Sequence, residues 1–226
     1  MSRPRVVRDG AVTIRISDDP AVDIARSLGV RLRSAIRRRG EAALAVSGGS
    51  AAPSMLSAFV HEDLDWGRVT VWQVDERIVA DDHRDRNARQ LSAVPALLRP
   101  MPVTDHDVEG AASRYASQLP TLDAVHLGLG GDGHTASWPP APHPDAAVVD
   151  CERRVAVVGA FNGHGRMTMT PVPINAARSR LFLVAGAEKA DVVRRWLDLD
   201  PRLPACHVRR SATTLFLDPD AAGRIG

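Results

Sequence analysis

The sequence predicts a single α/β domain whose mostly parallel sheet carries helices on both faces. Strand-like and helix-like segments alternate along nearly the whole chain of 226 residues, an order typical of parallel sheets with crossover helices. Residues 42–46 and 122–127 are short, uninterrupted apolar runs, the pattern of strands that are buried on both faces. Apolar residues make up 44% of the chain, which is enough for one packed core.

Local signals define the individual elements. The alternation of apolar and polar residues over 11–16 predicts a first strand. Asp18 or Asp19 before Pro20 is a helix-start signal, and Gly40 ends the helix that follows. The proline-rich stretch 138–144 is predicted to be a loop. In chain order, the predicted strands are 11–16, 42–46, 69–74, 122–129, 154–158, 166–170, 180–185 and 213–217, and the predicted helices are 21–38, 53–60, 88–98, 108–119, 173–177 and 187–197.

Composition and charge bound the class of protein. We expect one domain over 11–220, with a flexible N-terminal segment at 1–10 and a C-terminal tail at 221–226. No apolar run approaches the ~18 residues that span a bilayer, and no secretory signal is visible, so a cytoplasmic protein without a membrane partner is expected. The net charge of +2 and the scattered basic residues argue against a nucleic-acid partner. Cys151 and Cys206 have neither metal nor redox spacing, and we expect buried, inert thiols.

Three polar motifs follow predicted strands. They are Ser47-Gly48-Gly49-Ser50, Asp75-Glu76-Arg77 and residues 130–134. Ligands of open α/β sheets bind outside the carboxyl ends of the strands, so the three motifs predict one shared site. In the first motif, two glycines before a helix can present backbone N–H groups to a phosphate, although a tight turn capped by Ser50 explains it equally well. The lysine of a nucleoside-triphosphate loop is missing.

The glycine-rich stretch 128–137 presents Asp132 and His134 two residues apart. An imidazole of ordinary basicity can take a proton from water, and a nearby carboxylate can orient it or balance its charge. The alternative interpretation is a satisfied loop histidine, with Asp132 capping a turn. No third metal ligand stands at a suitable spacing. The glycines also fit a dinucleotide-binding pattern, but that motif must open a long helix, and Trp138-Pro139-Pro140 follows instead. We therefore expect no metal and no cofactor.

Arg77, Arg166 and Lys189 are candidate ligands for an anion. The guanidinium fork suits carboxylate and phosphate oxygens. Lys189 is the only lysine among 29 basic residues, and it stands at the start of a predicted helix. The helix dipole disfavours a cation there unless an anion binds beside it. The alternatives are an ion pair of Arg77 that closes a turn, and surface pairing of Lys189 with Glu188 or Asp191.

Together, these segments resemble the 6-phosphogluconolactonase family, within a wider group of sugar-phosphate isomerase-like proteins. The resemblance runs from about residue 12 to residue 217. It implies a Rossmann-like fold and hydrolysis of 6-phospho-D-glucono-1,5-lactone in the oxidative branch of the pentose phosphate pathway, by a cytoplasmic monomer or small homo-oligomer that needs no cofactor. The seven segments that carry it, in the family's order, are 47–50, 74–77 with Asn87, 127–137, 166–170, 175–178, 186–189 and 203–205.

The resemblance also implies roles for individual residues. His134 matches the residue that activates water, and Asp75, Arg77 and Asp132 match polar residues around the lactone. Two positions depart from the family's pattern: Gly131 stands where proline is common, and 138–140 replaces a Leu-Phe-Pro sequence, so we expect a different rim there. The residues that match phosphate-binding positions are Ser47, Gly48, Gly49, Ser50, Arg166 and Lys189.

Two other functions are compatible with part of the sequence. Glucosamine-6-phosphate deaminase/isomerase resembles the chain in the same motifs, but it needs a glutamate shortly after its equivalent of His134. No acidic residue stands between His134 and Asp145 here, so hydrolysis is favoured. A non-catalytic sugar-phosphate sensor with this fold would carry a helix-turn-helix segment, and no part of the chain is spare enough to supply one.

Overall fold

The structure is a computed structural model that describes residues 4–150 and 152–225. Cys151, one of the two thiols expected to be buried, lies outside these ranges. The strands are β1 (Arg5–Asp9), β2 (Val12–Ile16), β3 (Ala42–Val46), β4 (Val69–Gln73), β5 (Asp75–Arg77), β6 (Leu97–Arg99), β7 (Ala124–Leu127), β8 (Val155–Phe161), β9 (His164–Met169), β10 (Arg180–Val184) and β11 (Thr213–Leu217). The α-helices are α1 (Pro20–Arg39), α2 (Ala52–Phe59), α3 (Ala88–Leu91), α4 (Val108–Gln118), α5 (Pro171–Ala176) and α6 (Ala190–Leu197).

Over the described residues, the strands form two sheets. The main sheet has eight strands in the order β1-β2-β11-β10-β7-β3-β4-β6, and its neighbours are parallel except for β1 and β2. The second sheet is antiparallel and has the order β5-β9-β8. Helices α1 and α2 pack on one face of the main sheet, and α4 and α6 contribute to the core on the other. The predicted α/β class, with a mostly parallel sheet covered on both faces, is confirmed.

Helix α1 shows how local sequence builds this architecture. The Asp19 side chain accepts a hydrogen bond from the backbone N–H of Val22 (3.1 Å), as an N-cap does. Gly40 adopts a left-handed conformation (φ +83°), and its N–H donates to the Ile36 carbonyl. Burying one large aliphatic side chain stabilises a fold by about 1.5–3 kcal/mol. The apolar stripe of α1 buries Ile24, Leu28 and Leu32 completely.

The helix predicted over 88–98 is wrong beyond its first turn. Helix α3 ends at Leu91, and residues 97–99 form β6, which pairs in parallel with β4. Pro95 lacks a backbone N–H and disfavours helical geometry in the residue before it. The apolar side chains beyond Pro95 therefore join the edge of the sheet instead of continuing the helix.

Both ends of the described chain are more ordered than expected. Residues 5–9 form β1, paired antiparallel with β2 through a turn at Gly10 (φ +56°), whereas a flexible segment was predicted over 1–10. At the other end, Ala221 and Ala222 are buried against the core, so the predicted tail is packed there. The alternation that predicted β2 is weaker in β1, which lies at an exposed sheet edge.

The second sheet adds a wall at the carboxyl ends of the main strands. Asp75 begins β5, two residues after β4 ends, and β5 pairs with β9 instead of extending the main sheet. Trp138, in the segment expected to alter the rim, is fully buried, and its indole N–H donates to the Met169 carbonyl in β9 (2.7 Å).

Across the described ranges, no helix has the length and apolar character that a membrane span requires.

Candidate active site

A cavity of about 410 Å³ lies where the carboxyl ends of β3, β7 and β10 face the second sheet. All three polar motifs contribute to its wall, as predicted from their positions after strands. Asp132 is the one predicted site residue that is absent from the described lining. The predicted residues that line the cavity are Ser47, Gly48, Gly49, Ser50, Asp75, Arg77, His134, Arg166 and Lys189.

The motif at 47–50 leaves backbone donors exposed to the cavity. Gly49 has a positive φ of +103°, and a Cβ on Gly48 would lie 2.3 Å from Asn87 Oδ1, so both positions require glycine. Within the described part of the chain, no group accepts a hydrogen bond from the backbone N–H of Gly48, Gly49 or Ser50. These three residues precede α2 and line the cavity, so their unengaged N–H groups are candidate donors for an anion.

Asp75 ties two loops of the cavity together. Its Oδ1 accepts from the Ser47 hydroxyl (3.0 Å), and its Oδ2 accepts from the Ser137 hydroxyl (2.7 Å). The side chain is only 6% exposed, and both carboxylate oxygens are engaged. The geometry therefore gives Asp75 a positioning role, and it places the Ser47 hydroxyl on Asp75 rather than on a ligand.

His134 and Asp132 form a close pair at the glycine-rich turn. The His134 Nδ1 atom lies 2.5 Å from Asp132 Oδ1, and the ring is partly exposed within the cavity wall. Burial raises the pKa of Asp132, but hydrogen bonds and charge from His134 outweigh that effect and hold the pKa below its usual value. An ionised carboxylate only accepts, so Nδ1 carries the proton and Nε2 is the basic nitrogen.

Glycine makes this pair possible. A Cβ on Gly130 would lie 2.1 Å from His134 Nδ1 and 2.6 Å from Asp132 Oδ1. The turn also uses its own amides, because the Gly130 N–H donates to the His134 carbonyl (2.8 Å) and the Gly133 N–H donates to the Gly130 carbonyl (2.9 Å). These two N–H groups are therefore occupied and are poor candidates for stabilising an oxyanion.

Arg77 and Arg166 are cross-strand neighbours in the second sheet. Arg77 Nη1 donates to the Asp85 carbonyl (2.6 Å), while its buried Nε has no hydrogen-bond partner among the residues described. Arg166 directs Nε and Nη2 at the Phe161 carbonyl, at 3.1 and 2.9 Å. Burial lowers the pKa of Arg166, and Asp75 opposes that shift, whereas Arg77 adds to it. Two adjacent guanidinium groups therefore stand in this wall, beside the carboxylates of Asp75 and Asp85.

Lys189 does not form a surface ion pair with Glu188 or Asp191. Asp191 pairs with Arg224 instead. Over residues 4–150 and 152–225, no hydrogen bond or ion pair engages the Lys189 ammonium, and the residue lines the cavity. A cation without a carboxylate partner favours an anionic ligand.

Glu76 received no separate role from the sequence, yet it organises the loop behind Arg77. It is fully buried, and its carboxylate accepts from the backbone N–H groups of Asn87 and Ala88 (both 2.8 Å). It also accepts from Arg77 N (2.7 Å) and forms an ion pair with Arg86 (3.2 Å). The 75–77 motif places Glu76 among candidate site residues, but sequence spacing does not reveal that its partners are residues 86–88.

Other cavity residues were also missed. Phe161, His164, Asp85 and His126 line the same space, although no motif in the sequence singles them out. His164 Nε2 lies 3.0 Å from Asp85 Oδ2, which joins the β8–β9 hairpin to the loop after β5. No group of three or more His, Cys, Asp or Glu side chains in the described ranges is arranged to hold a metal ion.

The family model for glucosamine-6-phosphate isomerases and 6-phosphogluconolactonases matches residues 17–217. The chain belongs to this family. Within the family, the 6-phosphogluconolactonase of Synechocystis sp. is 34% identical over 215 residues, covering 85% of this chain and 88% of that protein. The 6-phosphogluconolactonase of Nostoc sp. is 35% identical over 237 residues, covering 93% of this chain and 97% of that protein.

Solved structures agree with the fold. The crystal structure of a 6-phosphogluconolactonase from Shewanella baltica superposes with a TM-score of 0.81, covering 95% of this chain and 100% of that chain. The sequence identity is 22%, so this likeness concerns the fold of the glucosamine-6-phosphate isomerase/6-phosphogluconolactonase family rather than individual residues.

Proposed function

We propose that this protein hydrolyses 6-phospho-D-glucono-1,5-lactone to 6-phospho-D-gluconate. The observation that carries the proposal is that His134, held by Asp132 behind it, shares one cavity of about 410 Å³ with a set of unengaged anion donors. A small sugar phosphate is the partner of suitable size. A cytoplasmic location, a monomer or small homo-oligomer and the absence of a nucleic-acid partner stay predictions of the sequence.

The substrate's phosphate would be bound away from the reacting carbon. The free backbone N–H groups of 48–50, the Lys189 ammonium and the remaining Nη1 of Arg166 can all face it. Binding energy from this remote group positions the lactone carbonyl near His134. The neighbouring hydroxyl of Ser47 supports this cradle indirectly, because it donates to Asp75.

His134 would act first as a base and then as an acid. Its Nε2 takes a proton from water as the water oxygen bonds to C1, and the carbonyl electrons move onto the carbonyl oxygen. When the carbonyl re-forms, the bond from C1 to the ring oxygen breaks, and Nε2 returns its proton to that oxygen. The carboxylic acid product then releases a proton to solvent. Asp132 holds the required tautomer throughout, since it accepts from Nδ1.

Arg77 is our candidate for the group that stabilises the oxyanion. Two amides of the glycine-rich turn are engaged within the turn, while Arg77 lines the cavity and, among the described residues, uses only Nη1 of its guanidinium group in a hydrogen bond. A positive donor preorganised beside the developing charge lowers the barrier. Deamination of an amino sugar is not favoured, because the segment after His134 offers no acid before Asp145.

The test uses purified protein and freshly oxidised glucose 6-phosphate, with lactone loss followed against the uncatalysed background. We expect the wild-type protein to accelerate hydrolysis. In His134→Gln, kcat should fall by about 10²–10⁴-fold, the range typical of the loss of a general base. His61→Gln, at an exposed position, is the matched control and is expected to keep full activity. Equal rates for His134→Gln and wild type would exclude His134 as the base.

A further inference from the structure

The tip of the β8–β9 hairpin contacts the proposed base. Phe161 and His164 are cross-strand partners at this tip, and both line the cavity. The Phe161 ring packs edge to face against the His134 imidazole, with ring centroids 5.2 Å apart and planes at 83°. Phe161 is only 9% exposed, whereas the His134 side chain is 29% exposed, so the contact joins an enclosed ring to one that is open to the cavity.

Hydrogen bonds hold this tip in place. Arg166 donates from both Nε and Nη2 to the Phe161 carbonyl, at 3.1 and 2.9 Å. On the other side, His143 Nε2 lies 2.9 Å from the Ala160 carbonyl, and the His143 ring also packs against Phe161 at 5.8 Å. The backbone on both sides of Phe161 is therefore fixed by side chains from β9 and from the loop before β8.

The hydrogen bond to Asp132 does not by itself define the orientation of His134. The hydrogen bond fixes the position of His134 Nδ1, but the imidazole plane can still rotate about the Nδ1–Asp132 direction. A second contact on the ring is needed to aim Nε2 at one point in the cavity. Phe161 supplies that contact, with the ring planes near perpendicular, an arrangement that aromatic pairs favour.

We infer that Phe161 is a positioning residue for His134, and that Arg166 contributes to the reaction by holding Phe161 as well as by binding anions. This inference rests on the proposed function, because it assumes that His134 is the base. A base must lie within hydrogen-bond reach of the water that it deprotonates, and a displacement of 1 Å can cost about 10²-fold in rate. Phe161 therefore affects turnover rather than substrate affinity.

The experiment compares Phe161→Leu and Phe161→Tyr in the full chain. For Phe161→Leu we expect kcat to fall about tenfold or more, with KM changed less than about twofold, because the anion donors are untouched. Phe161→Tyr keeps the ring and is expected to recover most of kcat. Phe59→Leu is the matched control, since it removes another buried ring in an edge contact, with Trp66 at 5.1 Å, away from the cavity, and it should keep wild-type kcat.

Proton NMR of the histidine rings gives a readout that needs no activity. The His134 resonances, assigned by their loss in His134→Gln, should shift in Phe161→Leu and return towards wild type in Phe161→Tyr, because the ring current of residue 161 acts on them. A wild-type kcat for Phe161→Leu, or unmoved His134 resonances, would overturn the inference. If wild type fails to hydrolyse the lactone while the resonances still move, the proposed function fails and the ring contact stands.

Discussion

Single glycines decide whether the His134–Asp132 pair can form. At Gly130, an added methyl group would lie within 2.6 Å of both partners, whereas at Gly131 a Cβ would meet nothing within 4 Å. We expect Gly130→Ala to lower kcat by about 10²-fold through displacement of the pair. Gly131→Ala, one residue away, should keep kcat within about twofold. Steady-state kinetics of the two variants, with circular dichroism as a check of folding, measure the difference, and equal kcat values would contradict it.

Lys189 provides the second prediction at this scale. Its ammonium is unengaged in the described structure and faces the cavity, so it is available to the substrate's phosphate. Lys189→Met should raise KM about tenfold or more and leave kcat within about threefold, as expected when uniform binding is lost. Arg194→Met, on the exposed side of α6, is the control and should leave both constants unchanged. An unchanged KM in Lys189→Met would remove Lys189 from the phosphate site.

Among the elements, the loop between β5 and α3 depends on one buried carboxylate. Glu76 accepts from four N–H groups and pairs with Arg86, whose side chain is 5% exposed. Glu76→Gln places an amide N–H₂ against these donors and removes the buried carboxylate that faces Arg86, which keeps only its ion pair with the exposed Asp81. Loss of one member of a buried pair costs about 3–5 kcal/mol, and we expect a decrease of that size in the free energy of unfolding.

Urea denaturation measures this effect. Glu109→Gln is the control, because Glu109 is 65% exposed and its pairing with Arg153 spans 3.8 Å at the surface. Its free energy of unfolding should change by less than about 0.5 kcal/mol. A Glu76→Gln protein as stable as wild type would mean that water or another group replaces the carboxylate.

At the scale of the whole molecule, His126 makes stability depend on pH. It is 1% exposed, neither ring nitrogen has a hydrogen-bond partner in the described residues, and burial lowers the pKa of His126 to about 4, against an opposing effect of the nearby Ser47 backbone. In the unfolded chain the pKa of His126 is near 6.5, the ordinary value for histidine, so the unfolded state binds more protons than the folded state between pH 6.5 and 4. Stability contributed by the neutral form is therefore full above pH 6.5 and falls as the pH decreases.

The size of this effect can be measured. Between pH 7.5 and pH 5, His126 should account for about 2 kcal/mol of lost stability, and His126→Leu should remove that part of the pH dependence. Urea denaturation at both pH values tests this, with His61→Leu at an exposed position as the control. An identical pH dependence in wild type and His126→Leu would show that His126 is not buried as a neutral ring.

The sequence predicts the inner strands of the main sheet and both strands of the β8–β9 hairpin, but it misses β5 and the edge strands β1 and β6, for physical reasons. Apolar runs such as 42–46 identify strands buried on both faces, and polar residues directly after them identify one edge of the sheet. In contrast, Asp75-Glu76-Arg77 is a strand only because β9 pairs with it, and nothing in three charged residues favours a strand. The contact of Phe161 with His134 is likewise set by tertiary structure, since 27 positions separate them in sequence.

Cys206 is half-buried, and burial raises the pKa of its thiol to about 11. A thiol with a raised pKa forms little thiolate, so the expected inertness of Cys206 is physically reasonable.

The solitary lysine has a practical consequence for anyone handling this protein. Lys189 supplies the chain's one side-chain primary amine, and it stands in the cavity wall. Amine-directed dyes, cross-linkers and immobilisation resins would therefore attach either at the α-amino group or in the wall of the proposed substrate cavity. Because Lys189 is proposed to bind the substrate's phosphate, we expect a preparation tagged in this way to lose activity in proportion to its labelling at Lys189, and saturating phosphate during coupling to protect it.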